Sequence, residues 1–299
     1  MVDVIVVGGS YAGLAAALQL ARARRKVLIV DAGRRRNRFA KSAHGFLGYD
    51  GSSPEAIALK GRADVLAYET VSFEEGEVSE IRKVEGGFSV RTSNGTHTTK
   101  RVVLATGVAD ELPAVVGLQE RWGKTVFHCP YCHGYELNLG RIGVLATSPL
   151  AVHSAMLASE WSAPRGTTLF LDGSFELEAV QLEELEKRAI TIERRAVVRL
   201  AGEAPKLDVC LGDGAVTSLD GMFVVAHTSI QGPFASQLGC ELEAGPVGNF
   251  YKTDMTKETT VPGVFACGDT ALAMGSVSFA VADGAMAGFG VHKSLVFPR

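Results

Sequence analysis

Apolar and polar positions along the chain fall into three textures. Short, nearly continuous apolar runs occur at Val2–Val7 (VDVIVV), Lys26–Asp31 (KVLIVD), Arg101–Thr106 (RVVLAT), Arg141–Thr147 (RIGVLAT), Thr167–Asp172 (TTLFLD), Gly221–His227 (GMFVVAH) and Val264–Cys267 (VFAC). Runs of this kind predict strands covered on both faces, as in a parallel sheet. Longer segments rich in Ala and Leu, or in charge, predict helices at Ala12–Arg24, Pro54–Glu69, Leu150–Trp161, Glu176–Arg188 and Ser278–Val296. The third texture, between Val71 and Lys100 and again over Ile190–Leu219, is one of short alternating segments such as Phe88–Thr92. Gly86-Gly87 and Asn94-Gly95 punctuate the first of these stretches, which predicts antiparallel strands and hairpins. The opening strand, turn, helix and strand occupy about 30 residues, the size of one βαβ unit. A second block starting near Arg141 repeats the plan, so the chain carries an internal repeat of pattern rather than of residue identity.

A length of 299 residues admits two domains, and a hydrophobic share of 46% supplies a core for each. Thirty basic against 33 acidic residues, a net −3, give no attraction to nucleic acid or to an anionic membrane surface. No apolar run approaches the roughly 20 residues that span a bilayer. Met1–Val7 carries Asp3, has no basic leader and runs straight into a glycine turn, which reads against a signal peptide and makes a soluble cytoplasmic enzyme the expectation. The cysteines Cys129, Cys132, Cys210, Cys240 and Cys267 are too few, and odd in number, for a secreted disulfide framework. In a reducing compartment a close cysteine pair points instead to catalysis, redox exchange or metal binding.

Gly8-Gly9-Ser10-Tyr11-Ala12-Gly13 follows the first strand and opens the first helix, the position of a dinucleotide-binding turn. Gly8 permits the tight turn, and Gly13 permits close helix–strand packing. The helix N-terminus offers its N–H groups to a diphosphate. Asp31 stands 18 residues after Gly13, at the end of the second strand, where a carboxylate can accept from ribose hydroxyls. The middle glycine of the usual fingerprint is replaced by Ser10, whose small hydroxyl side chain can contact phosphate. Ala105-Thr106-Gly107 ends a buried strand with small residues that allow a cofactor to approach. Gly268-Asp269 follows the last strand, where Asp269 either caps a helix or binds the ribityl chain of a flavin. Arg34-Arg35-Arg36 and Arg38 lie just beyond Asp31: either a solvated face or a lining for the adenosine and diphosphate site.

The most informative stretch is His128-Cys129-Pro130-Tyr131-Cys132-His133-Gly134-Tyr135-Glu136. Two intervening residues let the sulfurs close a compact ring, and one thiol of such a pair commonly has a lowered pKa. Three chemistries use this spacing. Attachment of c-type haem requires export and an axial-ligand fold. A zinc site from His128, Cys129, Cys132 and His133 has no second Cys-x-x-Cys or His pair at finger spacing to complete it. Thiol–disulfide exchange is favoured by the dinucleotide turn in the same chain, because a flavin exchanges two electrons with a dithiol.

The order of glycine turn, Ala-Thr-Gly, Cys-x-x-Cys and late Gly-Asp, over essentially the full length, resembles the low-molecular-weight thioredoxin reductase family of flavoproteins. The resemblance implies an α/β fold of two Rossmann-like, three-layer ββα domains. The FAD domain would comprise residues 1–113 and 241–299, split by an inserted pyridine-nucleotide-type domain, 114–240, that carries the cysteine pair. It implies FAD contacts at Gly8, Gly13, Asp31, Thr106, Gly107 and Asp269, a Cys132 that faces the flavin, a Cys129 that exchanges with substrate, and a homodimer. Within the family, Cys-Pro-Tyr-Cys-His-Gly-Tyr-Glu is most similar to the dithiol oxidases of the gliotoxin and holomycin type. Ordinary members place Asp where this chain has His133, and an imidazole there can take a proton from a thiol near neutral pH. His128 and His227 are weaker acid–base candidates.

The nicotinamide turn departs further. Gly143-Val144-Leu145-Ala146-Thr147-Ser148-Pro149-Leu150 lacks the later glycines, and no arginine cluster follows Asp172 and Glu176. Weak or absent NADPH binding follows from those missing parts. The expected activity is oxidation of a dithiol, with electrons passing to FAD and then to oxygen. Its partners would be a small dithiol or disulfide, or a thioredoxin-like protein, with neither nucleic acid, membrane nor metal. The rival readings are a disulfide reductase driven by NADPH or ferredoxin, and a flavin-binding redox sensor.

Overall fold

The run Val2–Val7 becomes the central strand of a sheet, with Val27–Asp31 parallel on one side and Gly95–Leu104 parallel on the other. Val4, Ile5 and Val6 have no exposed surface, as a strand covered on both faces requires. Val71–Glu75 adds in parallel beyond Val27–Asp31, and Val264–Ala266 adds in parallel along Val102–Leu104. The computed structural model describes residues 2–164 and 166–298.

Two differences from the sequence pattern concern this sheet. Val71–Glu75 belongs to the parallel ladder, not to the antiparallel region. The run predicted as a strand from Arg101 is the second half of one ten-residue strand, Gly95–Leu104. Its first half closes an antiparallel meander with Gly87–Thr92 and Val78–Val84, and its second half sits in the parallel sheet.

One face of the sheet is covered by the helices Tyr11–Arg22 and Val277–Val296, with Leu14, Ala16, Leu20, Ala287 and Val291 in the seam. These helices meet closely because Gly284 and Gly288 lie against the backbone of Ala12 and Ala16; a Cβ on Gly288 would come 2.7 Å from the Ala16 carbonyl oxygen. The opposite face packs on Ile81, Phe88 and Val90 of the meander, with Phe234 and Tyr251.

The chain divides into two units: Met1–Arg38, Phe46–Ala109 and Thr228–Arg299 form the first, Phe39–Gly45 and Asp110–His227 the second. The sequence reading placed 228–240 in the insertion; here Ile230, Phe234, Ala235 and Leu238 pack into the first unit's core, and Gln237 Oε1 accepts from Ile81 N at 2.9 Å.

The second unit repeats the layering. Its parallel sheet runs Thr191–Glu193, Thr167–Phe170, Ile142–Leu145, Gly221–Val224, Val126–Phe127. Helix Leu150–Ala158 packs on one face of this sheet, and Leu185 of helix Ala179–Lys187 joins the same core. On the other face lies an antiparallel sheet of Val197–Ala201, Leu207–Leu211 and Val216–Leu219. Each unit is therefore a three-layer ββα domain, and the repeat of pattern is a repeat of architecture. Among the described residues no helix is long and apolar enough to cross a membrane.

Candidate active site

In the first unit, three separated segments converge at the ends of the parallel strands. Gly8 adopts φ +103° and donates to Val30 O at 2.8 Å, and a Cβ there would collide with the Ala105 carbonyl oxygen. Gly13 sits so close that a Cβ would strike the Gly8 carbonyl oxygen. Both glycines are thus required by close backbone approach. The ladder of the helix starts with Leu14 N donating to Ser10 O at 2.8 Å, and the Ser10 hydroxyl makes no capping bond. The N–H groups of Tyr11, Ala12 and Gly13 stay outside the ladder, as donors for an anion. Asp31 Oδ1 accepts from Gly9 N at 3.0 Å, which ties the acid at the end of the second strand to the turn.

The Tyr11 hydroxyl is engaged within the chain: it donates to Pro54 O at 3.1 Å and accepts from Asn37 Nδ2 at 3.2 Å, and burial pushes its pKa up. Ala105 N donates to Val7 O at 2.8 Å, which aligns Ala105-Thr106-Gly107 beside the glycine turn; Gly107 follows at φ +67°. Thr106 Oγ1 lies 3.4 Å from Thr270 Oγ1. Gly268, at φ +75°, is brought against Ala12: a Cβ on it would lie 2.7 Å from the Ala12 Cβ. Asp269 is not the cap of the long helix, because Ser276 Oγ accepts from Phe279 N there at 3.0 Å. Its carboxylate pairs instead with Arg36 Nη1 at 3.0 Å, both side chains about one-fifth exposed. One member of the arginine run is thus tied to Asp269 rather than left to solvent. Arg35 Nε, in the same run, is buried without a hydrogen-bond partner among the described residues. The cradle closed to Cβ atoms, the open helix N-terminus and the orphaned Arg35 Nε fit the diphosphate and ribityl portion of a dinucleotide.

In the second unit, Cys129 and Cys132 form a disulfide with Cα atoms 5.3 Å apart. Pro130 favours the start of the helical turn Pro130–His133, which Gly134 N closes onto Pro130 O at 2.7 Å. Among the described residues no group of three or more His, Cys, Asp and Glu side chains is arranged to hold a metal ion. The ring of His133 stacks on Phe127, centroids 4.2 Å apart and planes 16° apart, and its Nδ1 is buried without a partner among the described residues. Burial lowers its pKa to about 4, with a smaller contribution from His44. The imidazole is therefore neutral at pH 7, not poised near 6.5 as an exposed histidine would be. A desolvated neutral imidazole gains a proton favourably only when a negative charge forms beside it, as when a thiolate is released.

Around the pair, Tyr131 is 72% exposed and meets Trp161 edge-on at 5.2 Å, while Gly134 lets the Trp161 ring approach the turn. His44 Nδ1 lies 3.4 Å from Glu136 Oε1, and its Nε2 lies 3.0 Å from Ser42 Oγ. Sequence reasoning missed His44: it stands 85 residues before Cys129, and nothing local marks it. His227, a weaker candidate, is in an exposed pair with Glu111 at 3.3 Å.

The His133 environment has a thermodynamic consequence. With about 4 in the folded chain against 6.5 unfolded, the folded state binds fewer protons between those values. Its stability is thus full above pH 6.5 and falls as acid is added through that window, by up to about 3 kcal/mol at its lower end. His133→Phe should flatten the decline in thermal unfolding scans of the oxidised protein between pH 6.5 and 4; an unchanged slope would refute the assignment.

The segment that the family resemblance matches to a nicotinamide turn is built without its later glycines. Gly143 lies within strand Ile142–Leu145, where a Cβ would meet Leu219 Cδ1 at 2.6 Å; it serves packing, not the turn. Thr147 Oγ1 donates to Val225 O at 2.6 Å, and Ser174 Oγ donates to Ala146 O at 2.7 Å. Ala151 N and Val152 N donate back to Ser148 O and Pro149 O at 3.0 and 3.2 Å, and Pro149 has no N–H to give. Asp172 Oδ1 accepts from Val197 N at 2.8 Å, and Glu176 pairs loosely with Arg194 at 3.6 Å. The turn is glycine-free, its Thr147 hydroxyl is engaged by Val225 O, and the N–H groups of Ala151 and Val152 are engaged by its own carbonyls.

The family model of pyridine nucleotide-disulphide oxidoreductases matches residues 2–284. Thioredoxin reductase sirT of Leptosphaeria maculans is 34% identical over 309 residues, 97% of this chain and 93% of its own. Thioredoxin reductase aclD of Aspergillus oryzae is 32% identical over 308 residues, 99% of this chain and 96% of its own. Among solved structures, an oxidoreductase from Agrobacterium tumefaciens is 48% identical with a TM-score of 0.95, covering 100% of this chain and 99% of that one. HlmI is 39% identical with a TM-score of 0.91, covering 99% of this chain and 92% of that one.

Proposed function

The chain belongs to the pyridine nucleotide-disulphide oxidoreductase family, and from that premise we propose that it oxidises a dithiol to a disulfide through Cys129 and Cys132, with FAD and then molecular oxygen as acceptors. The observation that carries the direction is the glycine-free turn 146–149: its Thr147 hydroxyl is spent on Val225 O, and the N–H groups of Ala151 and Val152 are spent on Ser148 O and Pro149 O.

FAD would be held by Gly8, Ser10, Ala12 and Gly13 with Asp31, by Ala105, Thr106 and Gly107, and by Gly268 and Asp269, with Tyr11 anchoring the helix start. Once bound, it supplies the two-electron acceptor that returns the cysteine pair to its disulfide. The remaining steps belong to the chain's own residues. A substrate thiolate attacks Cys129 Sγ, the Cys129–Cys132 bond breaks, and its electron pair leaves on Cys132. The proton of the substrate's second thiol passes to His133, the uncharged base adjoining Cys132 in the chain. The second substrate sulfur then attacks the mixed disulfide, Cys129 leaves as thiolate, and the product carries the new S–S bond. Two electrons and one proton remain with the protein, the first thiol having given its proton to solvent before it attacked. Tyr131 and Trp161 give the approach to the disulfide an aromatic surface suited to an apolar small dithiol.

The names of the curated relatives favour the opposite direction, reduction of a thioredoxin-like protein. Anaerobic mixing separates the two: a small dithiol should bleach the oxidised flavin, and colour should return in air, while NADPH and NADH should have no effect within many turnovers. Rapid bleaching by NADPH would reverse the proposed direction. The same reading leads us to expect a homodimer, for which Phe279, Met286 and Phe289, 47–61% exposed on the long helix, offer an apolar face.

A further inference from the structure

A buried ion pair of the first unit is left without a role by this chemistry. Lys257 and Asp283 have side chains only 8% exposed, and Lys257 Nζ lies 3.0 Å from Asp283 Oδ1. Asp283 interrupts the apolar helix Val277–Val296, and Lys257 holds φ +65°, a conformation unusual for a side-chain-bearing residue. Burying two charges is costly, and an apolar pair of similar volume would fill the same space. The pair makes sense through its other contacts. Asp283 Oδ2 accepts from Gly268 N at 2.9 Å, and Lys257 Nζ donates to Ala271 O at 3.4 Å. Gly268 and Ala271 are the first and last residues of the single helical turn Gly268–Ala271. That turn carries Asp269, which meets Arg36, and Thr270, which meets Thr106. The backbone of Lys257 is itself fixed: its N donates to Asp254 O at 3.0 Å and its O accepts from Ala266 N at 3.0 Å.

We propose that Lys257 and Asp283 are positioning residues for the flavin: their ion pair clamps both ends of the Gly268–Ala271 turn, so that Asp269 is presented to the ribityl–diphosphate portion before the cofactor arrives. Neither residue touches the flavin; both act through the turn. The inference rests on the FAD reading above. The two fail separately: wild-type protein that binds no FAD defeats that reading, whereas variants that bind FAD like wild type defeat only this one.

The test compares wild type, Lys257→Arg, Asp283→Asn and the apolar double variant Lys257→Met/Asp283→Leu. Affinity for FAD is read on the apoprotein by quenching of flavin fluorescence, beside the melting temperature without FAD. The double variant should melt at or near the wild-type temperature. It should bind FAD about tenfold or more weakly, as loss of an outer support commonly costs. Asp283→Asn, which keeps an acceptor for Gly268 N but loses the charge, should fall between, and Lys257→Arg should stay within about threefold of wild type. A double variant that folds and binds FAD with wild-type affinity overturns the proposal, as does a loss of affinity equal to the unfolded fraction seen by circular dichroism. Should the variants fail to fold, amide exchange of the wild-type apoprotein decides. Slow exchange at Gly268 without FAD supports a turn set in advance, and fast exchange that slows only with FAD overturns it.

Discussion

Cys132→Ser is expected to lower dithiol-dependent oxygen consumption by about four orders of magnitude, the scale seen when a member of a catalytic unit is removed. The fold and flavin content should be unchanged, because the pair lies in the second unit while the cofactor cradle lies in the first. The reason is chemical. A serine hydroxyl forms no S–S bond, so Cys129 alone holds no oxidising equivalent within the chain, and a substrate thiolate meets a thiol where it needs a disulfide. Cys129→Ser removes the same bond but leaves Cys132, the sulfur assigned to electron exchange with the flavin. The two variants therefore share the loss of turnover and differ in the spectrum of the resting protein. Oxygen consumption with dithiothreitol, beside the 450 nm to 280 nm absorbance ratio, reads both properties. A Cys132→Ser protein that still bleaches with dithiol would show that electrons reach the flavin by another route.

His133 shows how far such chemistry can be read from sequence. Its place beside Cys132 marks it as an acid–base candidate, and a value near 6.5 is the natural first assumption. The lowered value of about 4 comes from burial and from His44, and neither is local in the chain. The same division runs through the fold. Gly8, Gly13 and Gly268 are legible because positive φ or close backbone approach leaves only glycine possible, a constraint written into single positions. The parallel strands are legible as short apolar runs. Gly95–Leu104 is not legible as one strand, because its halves answer to different neighbours and carry different textures. The family resemblance matches Gly143 to the start of the nicotinamide turn, yet a crowd of Leu219, Met222 and Phe170 side chains accounts for it inside the strand that its apolar run predicts. Asp283 left a visible signal, an acid inside an apolar helix, but its meaning required Lys257, 26 residues away.

Gly13→Ala should yield a protein with less than about a tenth of the wild-type flavin content and a stability loss of about 2 kcal/mol, the usual scale for forcing a methyl group into a packed site. A Cβ at this position meets the Gly8 carbonyl oxygen and lies 3.1 Å from Val6 Cγ1. Neither can give way cheaply. Gly8 is held by its bond to Val30 O and by its own contact with Ala105, and Val6 is in the core of the central strand. The helix Tyr11–Arg22 has to shift outward instead, but its other side is locked against Gly284 and Gly288 of the long helix. The strain therefore falls on the glycine turn, where Tyr11, Ala12 and Gly13 present their N–H groups. A shift of even an ångström there misaligns donors that must converge on one diphosphate. Gly33→Ala is the control, since that residue also has positive φ, +72°, but has open space around its Cβ position. It should cost some backbone strain and keep its flavin. Equal flavin loss in both variants would attribute the effect to general destabilisation, and a Gly13→Ala protein that remains yellow would place the diphosphate away from this helix.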